Sequence, residues 1–186
     1  PVTLDPNTAA PWLILSEDLT SVRHSNEKQQ LPDNPERFDS CIYVLGSEGF
    51  TSGKHCWDVE VGNKTAWNLG VTKESSQRKG EFTRNPGTGY WVISLRDGDQ
   101  YWALTSPWST GLTVEKKPQK IRVQLDCDGG GEVAFFDSSD MRKPLYTFKH
   151  RFTDRMFPYF SPCLNEDGKN PAPLRVCPVK AVIKVN

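Results

Sequence analysis

The residues of this sequence that could do chemistry are few, and their settings do not suit it. Asp126-Cys127-Asp128-Gly129-Gly130-Gly131 ends in three consecutive glycines, and glycine-rich loops cradle phosphates where they lead from a strand into a helix N-terminus. The run that follows, Glu132-Val133-Ala134-Phe135-Phe136, reads as a strand, and no Gly-Lys-Ser/Thr follows. A tight hairpin is therefore the reading, with Asp126 and Asp128 capping it through local hydrogen bonds rather than serving as an acid–base pair or calcium ligands. Cys56 adjoins His55, but adjacent residues on a strand point to opposite faces. No Gly-x-Ser-x-Gly occurs, and His24 and His150 have no ligand neighbours at metal-binding spacing. The five cysteines, at 41, 56, 127, 163 and 177, form no Cys-x-x-Cys pair and are odd in number, which reads as free thiols in a reducing, cytoplasmic setting. The sequence thus predicts no catalysis, no cofactor and no metal in this chain.

The elements that position whatever the chain does are strands. Across 186 residues, 14 Gly and 14 Pro punctuate a chain that is 11% aromatic with six Trp, a mixture suited to many turns around a bulky core. Apolar alternation recurs over Trp12–Leu15, Ser40–Leu45, His55–Val61, Ala66–Val71, Tyr90–Leu95, Lys120–Leu125, Glu132–Phe136 and Leu174–Pro178. In His55-Cys56-Trp57-Asp58-Val59-Glu60-Val61 the period is two, not 3.6. Ser75 to Arg84 is polar and reads as an exposed loop. The 23 basic and 23 acidic residues cancel, leaving no clustered positive charge of the kind nucleic acids and anionic membranes require. Apolar runs of about four residues fall far short of the roughly 20 that cross a bilayer. The opening Pro1, with no Met, reads as part of a longer protein, and the sequon Asn63-Lys64-Thr65 would matter only in a secreted chain.

Several clusters, taken in order, resemble the PRY-SPRY domain that ends many tripartite-motif ubiquitin ligases and butyrophilins. Leu4-Asp5-Pro6, Trp12-Leu13-Ile14-Leu15-Ser16-Glu17-Asp18 and Pro35-Glu36-Arg37-Phe38-Asp39 resemble the PRY portion. Gly53-Lys54-His55-Cys56-Trp57-Asp58-Val59-Glu60-Val61, Trp67-Asn68-Leu69-Gly70-Val71, Gly89-Tyr90-Trp91, Val133-Ala134-Phe135-Phe136-Asp137 and Phe157-Pro158-Tyr159-Phe160-Ser161-Pro162 resemble the SPRY portion. The resemblance implies an all-β fold, a bent antiparallel two-sheet sandwich of the concanavalin-like jelly-roll kind. A PRY segment over 1–52 and a SPRY segment over 53–186 would together make one compact domain. It further implies a module without catalysis of its own, which recognises protein or peptide targets for a larger ligase that carries a RING zinc finger and acts in innate immunity. The isolated domain would be monomeric, and the parent oligomeric through a coiled coil. Two alternatives stay open: a lectin-like carbohydrate binder, and the intracellular sensor domain of a butyrophilin or related receptor.

Candidate binding residues come from loops and strand ends. Trp12, Trp57, Trp67 and Trp91 are expected in the core, where burial of each indole is worth roughly 4–6 kcal/mol before entropy is deducted. Tyr101, Trp102 and Trp108 lie on a short strand running into a Pro-containing loop, where large rigid aromatics serve as interface anchors. In the antibody-receptor member of the family, the positions matching Asn68, Ser94, Arg96 and Leu164 line the pocket. All four residue types differ here, which argues against antibody binding but not against another peptide. In the phosphoantigen-sensing butyrophilins, two arginines occupy the positions of Trp102 and Trp108, so a diphosphate would lose both guanidinium forks. Arg78, Lys79 and Arg84 are expected as a mobile basic rim.

Overall fold

A computed structural model describes residues 2–178. Thirteen strands form two antiparallel sheets among the described residues. The first holds seven, in the order β1 (Leu13–Leu15), β2 (Ser21–His24), β13 (Leu174–Val176), β4 (Lys54–Glu60), β9 (Lys120–Asp126), β10 (Glu132–Asp137) and β11 (Tyr146–Lys149). The second holds six: β3 (Val44–Leu45), β12 (Met156–Ser161), β5 (Trp67–Lys73), β6 (Tyr90–Arg96), β7 (Gln100–Ala103) and β8 (Thr110–Leu112). The N-terminal strands β1 and β2 join the first sheet and β3 the second, so neither sheet is complete without residues from the first third of the chain.

Alternation explains how the sheets pack. β4 and β9 bury Trp57, Val59, Ile121, Val123 and Leu125 and leave Lys54, Glu60 and Lys120 exposed, the half-buried pattern expected of an antiparallel sheet with one wet face. β5 and β6 differ: both are buried along six of seven positions. Trp67, Leu69, Val71, Ile93 and Leu95 meet the other sheet's core, while Tyr90 and Tyr159 on the outer face pack edge-to-face with one another and against Tyr43 and Phe82. The chain preceding β3 and the loop between β5 and β6 thus roof part of the outer face. Gly70, central in β5, is required by the close approach of the β6 backbone, since a Cβ there would sit 2.0 Å from the carbonyl oxygen of Trp91.

The β9–β10 connection is the hairpin expected from its glycines. Gly129 and Gly131 have positive φ, Asp126 accepts from the Asp128 N–H, and Asp128 accepts from Gly53 N–H. His55 stacks on Phe50 while Cys56 is exposed. Three of the four tryptophans assigned to the core, Trp57, Trp67 and Trp91, are buried. Trp12 is the exception: it precedes β1, is half-buried, and has the Lys28 ammonium 5.4 Å from its ring centroid.

Candidate protein-interaction face

Antiparallel register places one residue from each of five strands in a line across the outer face of the six-stranded sheet: Ser161, Asn68, Ser94, Trp102 and Gly111. Directly opposed residues of this kind stand close enough to touch. Asn68 and Ser94 are buried, at 1% and 2% exposure. Arg96, two residues beyond Ser94, reaches Asn68: its Nη2 donates to Asn68 Oδ1 at 2.8 Å, and its Nη1 to the carbonyls of Leu95 and Trp67 at 2.7 and 3.2 Å. Trp102 is half-buried. Its ring lies over Gly111, where a Cβ would stand 3.6 Å from the indole, an ordinary van der Waals contact.

Two loops carry the exposed apolar side chains. Between β7 and β8, Trp108 is 82% exposed while Thr105 Oγ1 donates to its carbonyl. Between β12 and β13, Leu164 is 55% exposed, and the backbone around it is held unusually firmly. Cys163, Glu166 and Asp167 all have φ between 51° and 55°, a left-handed conformation that costs non-glycine residues of order 1 kcal/mol each. Buried Asn170 offsets that strain. Its Oδ1 accepts from Thr65 and Ala66 N–H, and its Nδ2 donates to the carbonyls of Ala66, Pro162 and Leu164. Lys64, also buried, donates to the Ala172 carbonyl at 2.7 Å, and burial pushes its ammonium down to about 8. His24 Nδ1 accepts from Asn165 N–H.

The arginines of the β5–β6 loop are not a mobile rim. Arg78 donates to the carbonyls of Ser76, Glu36 and Glu74 and lies 5.3 Å from the Phe38 ring centroid. Lys79 pairs with Asp33 at 2.6 Å. Arg84 lies 5.4 Å from the Tyr43 ring centroid. A groove of about 840 Å³ opens elsewhere, on the seven-stranded sheet. Its charges answer one another: Arg122 and Asp58 form a two-pronged ion pair at 2.8 and 2.9 Å, and Glu60 stands opposite Arg175 and Lys120. Of the four large exposed apolar side chains among the described residues, Trp108 and Leu164 are more exposed than Leu31 and Met141, and none of the four lines that groove, so the six-stranded sheet with its two loops is the stronger candidate for a protein surface.

Residues 54–175 match the family model described as the SPRY domain, and residues 2–50 match that of the SPRY-associated domain, PRY. The chain belongs to the PRY-SPRY family. This PRY-SPRY chain is 52% identical to nuclear factor 7, brain, of Xenopus laevis over 94% of its own length, but spans only 28% of that protein. It is 46% identical to human erythroid membrane-associated protein and 44% to the bovine E3 ubiquitin-protein ligase TRIM21, over 95% and 96% of its own length and 36% and 38% of theirs. Among solved structures, stonustoxin superposes with a TM-score of 0.81 at 31% identity, over 95% of this chain and 28% of that one. The TRIM65 PSpry domain does so with 0.79 at 23% identity, over 96% and 90%, a likeness of fold.

Within this PRY-SPRY domain the expected site residues divide. Arg96, Trp102, Trp108 and Leu164 are accessible in part or whole. Asn68 and Ser94 lie in the same line but are buried, so they support Arg96 and Trp102 from below. Tyr101 belongs elsewhere: alternation turns it away from Trp102 and into the core against Trp67. Arg78 is bound by carbonyls outside the line. Sequence reasoning missed Lys64 and Asn170, whose residue types ordinarily lie on surfaces.

The His24 contact gives the Leu164 loop a pH dependence. Burial lowers the imidazole's pKa, the Lys64 charge acts the same way, and the Asn165 N–H occupies the Nδ1 lone pair. The folded state therefore binds the proton less readily than the unfolded chain. This stabilisation is complete above the ordinary histidine pKa of about 6.5 and is lost as pH falls through the lower folded value. Melting temperatures measured between pH 7 and pH 5 are expected to fall, and His24→Gln to remove that part of the slope.

Proposed function

We propose that this domain recognises protein targets for a larger tripartite-motif-type E3 ubiquitin ligase, in the cytoplasm and in innate immune defence. The observation that carries the reading is the exposed Trp108 in the β7–β8 loop, with half-buried Trp102 on the outer face of the adjoining strand β7. Rigid aromatics at the rim of a firmly held surface are typical binding anchors. Support for the ligase parent comes from the similarity to TRIM21 and to the TRIM69 ligase of Mus musculus, the latter 47% identical over 94% of the chain.

A second parent is favoured by one specific observation: erythroid membrane-associated protein is as similar as the ligases are. In that reading the same face serves a membrane-anchored receptor. The test is proximity labelling in cells with the full parent, comparing wild type with a Trp102→Ala/Trp108→Ala double variant. A target whose labelling disappears in the folded double variant supports the reading, and ubiquitination of that target by the parent identifies the ligase. Unchanged labelling contradicts the assigned face.

A further inference from the structure

We propose that β8 is a docking edge: an extended segment of a target protein adds to it as a further strand of the six-stranded sheet, with a large apolar side chain opposite Gly111 and against the Trp102 indole. This rests on the protein-recognition reading and deepens it, by naming the backbone with which the target pairs. Strand order leaves β8 at one end of its sheet, with β7 as its only partner among the described residues. The hydrogen-bond phase follows from the register. The Leu104 N–H donates to the Val92 carbonyl on β6, so Leu104 and Trp102 turn their backbone groups toward β6, while Tyr101 and Ala103 turn theirs toward Leu112 and Thr110 on β8. Alternation then points the N–H and C=O of Gly111 away from the sheet, and neither group meets another partner among the described residues.

The other sheet ends are covered or guarded. Beside β3, the Asp5 and Ala10 N–H groups donate to the carbonyls of Leu45 and Tyr43, and the Leu45 N–H donates to Thr8 Oγ1. The Leu13 N–H of β1 turns back to the Ala10 carbonyl. β11 carries exposed Lys149, the residue type that most often blunts an edge. β8 and its flanks, Ser109-Thr110-Gly111-Leu112-Thr113-Val114, contain neither charge nor proline, and Thr110 and Gly111 are exposed. Such an edge is a template for another chain. Its start is held in place, because Thr105 Oγ1 donates to the Trp108 carbonyl at 2.5 Å and stands 2.7 Å from Thr110 Oγ1, so a target need not order the loop. Gly111 sets the side-chain requirement. Directly opposed residues of an antiparallel pair share a face, so the residue paired with Gly111 projects on the side of Trp102, whose ring lies over the glycine. No glycine side chain intervenes, and a large apolar group there covers the edge of the indole. A second copy paired glycine to glycine brings no side chain to that place, which favours a target segment. Main-chain hydrogen bonds hold an added strand, and its alternate side chains give selectivity.

The test is selection from a library of unphosphorylated random peptides on the 186-residue chain, followed by binding to Trp102→Ala, Gly111→Ala and Gly111→Pro. The selected peptides are expected to carry Leu, Ile, Val, Phe or Tyr at alternate positions. Their affinity should fall at least about tenfold in Trp102→Ala and in Gly111→Pro, and much less in Gly111→Ala. Proline removes the outward N–H, a change an edge strand accepts where that group faces solvent, whereas alanine keeps the N–H and adds a methyl at ordinary contact distance. N-methylation of single peptide amides leaves the domain untouched and reads the same geometry if the proline variant fails to fold: a methyl on an amide that faces β8 should abolish binding, and one on the next amide along should not. Peptides that need Trp102 or Trp108 but tolerate Gly111→Pro and show no alternation on N-methylation would overturn the added strand and leave protein recognition standing. Self-association of the chain that is lost in Gly111→Pro, with no peptide competing for it, would assign the edge to a second copy and overturn the target strand. A library that yields no peptide dependent on Trp102 or Trp108 would overturn both.

Discussion

Asn170→Ala is expected to lower the stability of the domain by about 3–5 kcal/mol and to release the loop that presents Leu164. The substitution removes one acceptor and two donors that together serve five backbone groups of Thr65, Ala66, Pro162 and Leu164. A buried backbone group left unpaired costs about 1–3 kcal/mol. Simple addition would overshoot, because the loop relaxes and admits water to its carbonyls. Thr65 and Ala66 lead directly into β5 and move less freely, so most of the loss falls there. The left-handed conformations of Cys163, Glu166 and Asp167 add to the drive for release, since the network that holds them is gone. Asn170→Asp separates the two halves of the side chain. It keeps the acceptor for both N–H groups but directs a negative oxygen at three carbonyls, so at neutral pH it should do little better than alanine. At acidic pH the protonated acid can donate once, and part of the loss should return. Urea unfolding midpoints across pH check both statements.

Trp108→Ala is expected to weaken target binding by roughly thirtyfold, about 2 kcal/mol, while changing fold stability by less than about 0.5 kcal/mol. The contrast follows from exposure: at 82% the indole gains almost nothing from folding and has nearly all its apolar area to bury in a complex. Its carbonyl, held by Thr105, keeps the loop in place whether or not the ring is present. Trp102→Ala should differ, losing binding and some stability together, because its half-buried ring packs by Gly111. Parallel calorimetry of binding and thermal unfolding distinguishes the two. Equal losses of stability at both positions would show that the loop, not the indole, is what the partner reads.

Much of the sandwich was legible because apolar alternation and glycine turns act locally. β4, β5, β6, β9 and β10 all carry β-branched or aromatic residues at period two, and each appears within one or two residues of the expected limits. β2, β8 and β11 are shorter and more polar. They are strands because a neighbouring edge offers unpaired donors and acceptors, a tertiary cause that leaves little trace in their own residues. The site divides along the same line. Trp108 was legible as an apolar residue in a turn-rich segment and Leu164 only through the family resemblance, and alternation could have separated Tyr101 from Trp102. Lys64 and Asn170 gave no such signal: a buried lysine or asparagine looks like a surface residue until the carbonyls that surround it are known. Arg78 and Lys79 were misplaced for a related reason, since their partners Glu36 and Asp33 lie more than forty residues away.

On the proposed function, the outer face of the six-stranded sheet, and not the groove on the seven-stranded sheet, meets the target. Site-specific photo-crosslinking in cells tests it most directly, with a photoreactive phenylalanine analogue placed at position 108 in one version of the parent and at position 122 in another. A discrete crosslinked target is expected from position 108, diminished by Trp102→Ala, and none from position 122. A target captured from position 122 and not from position 108 would contradict it.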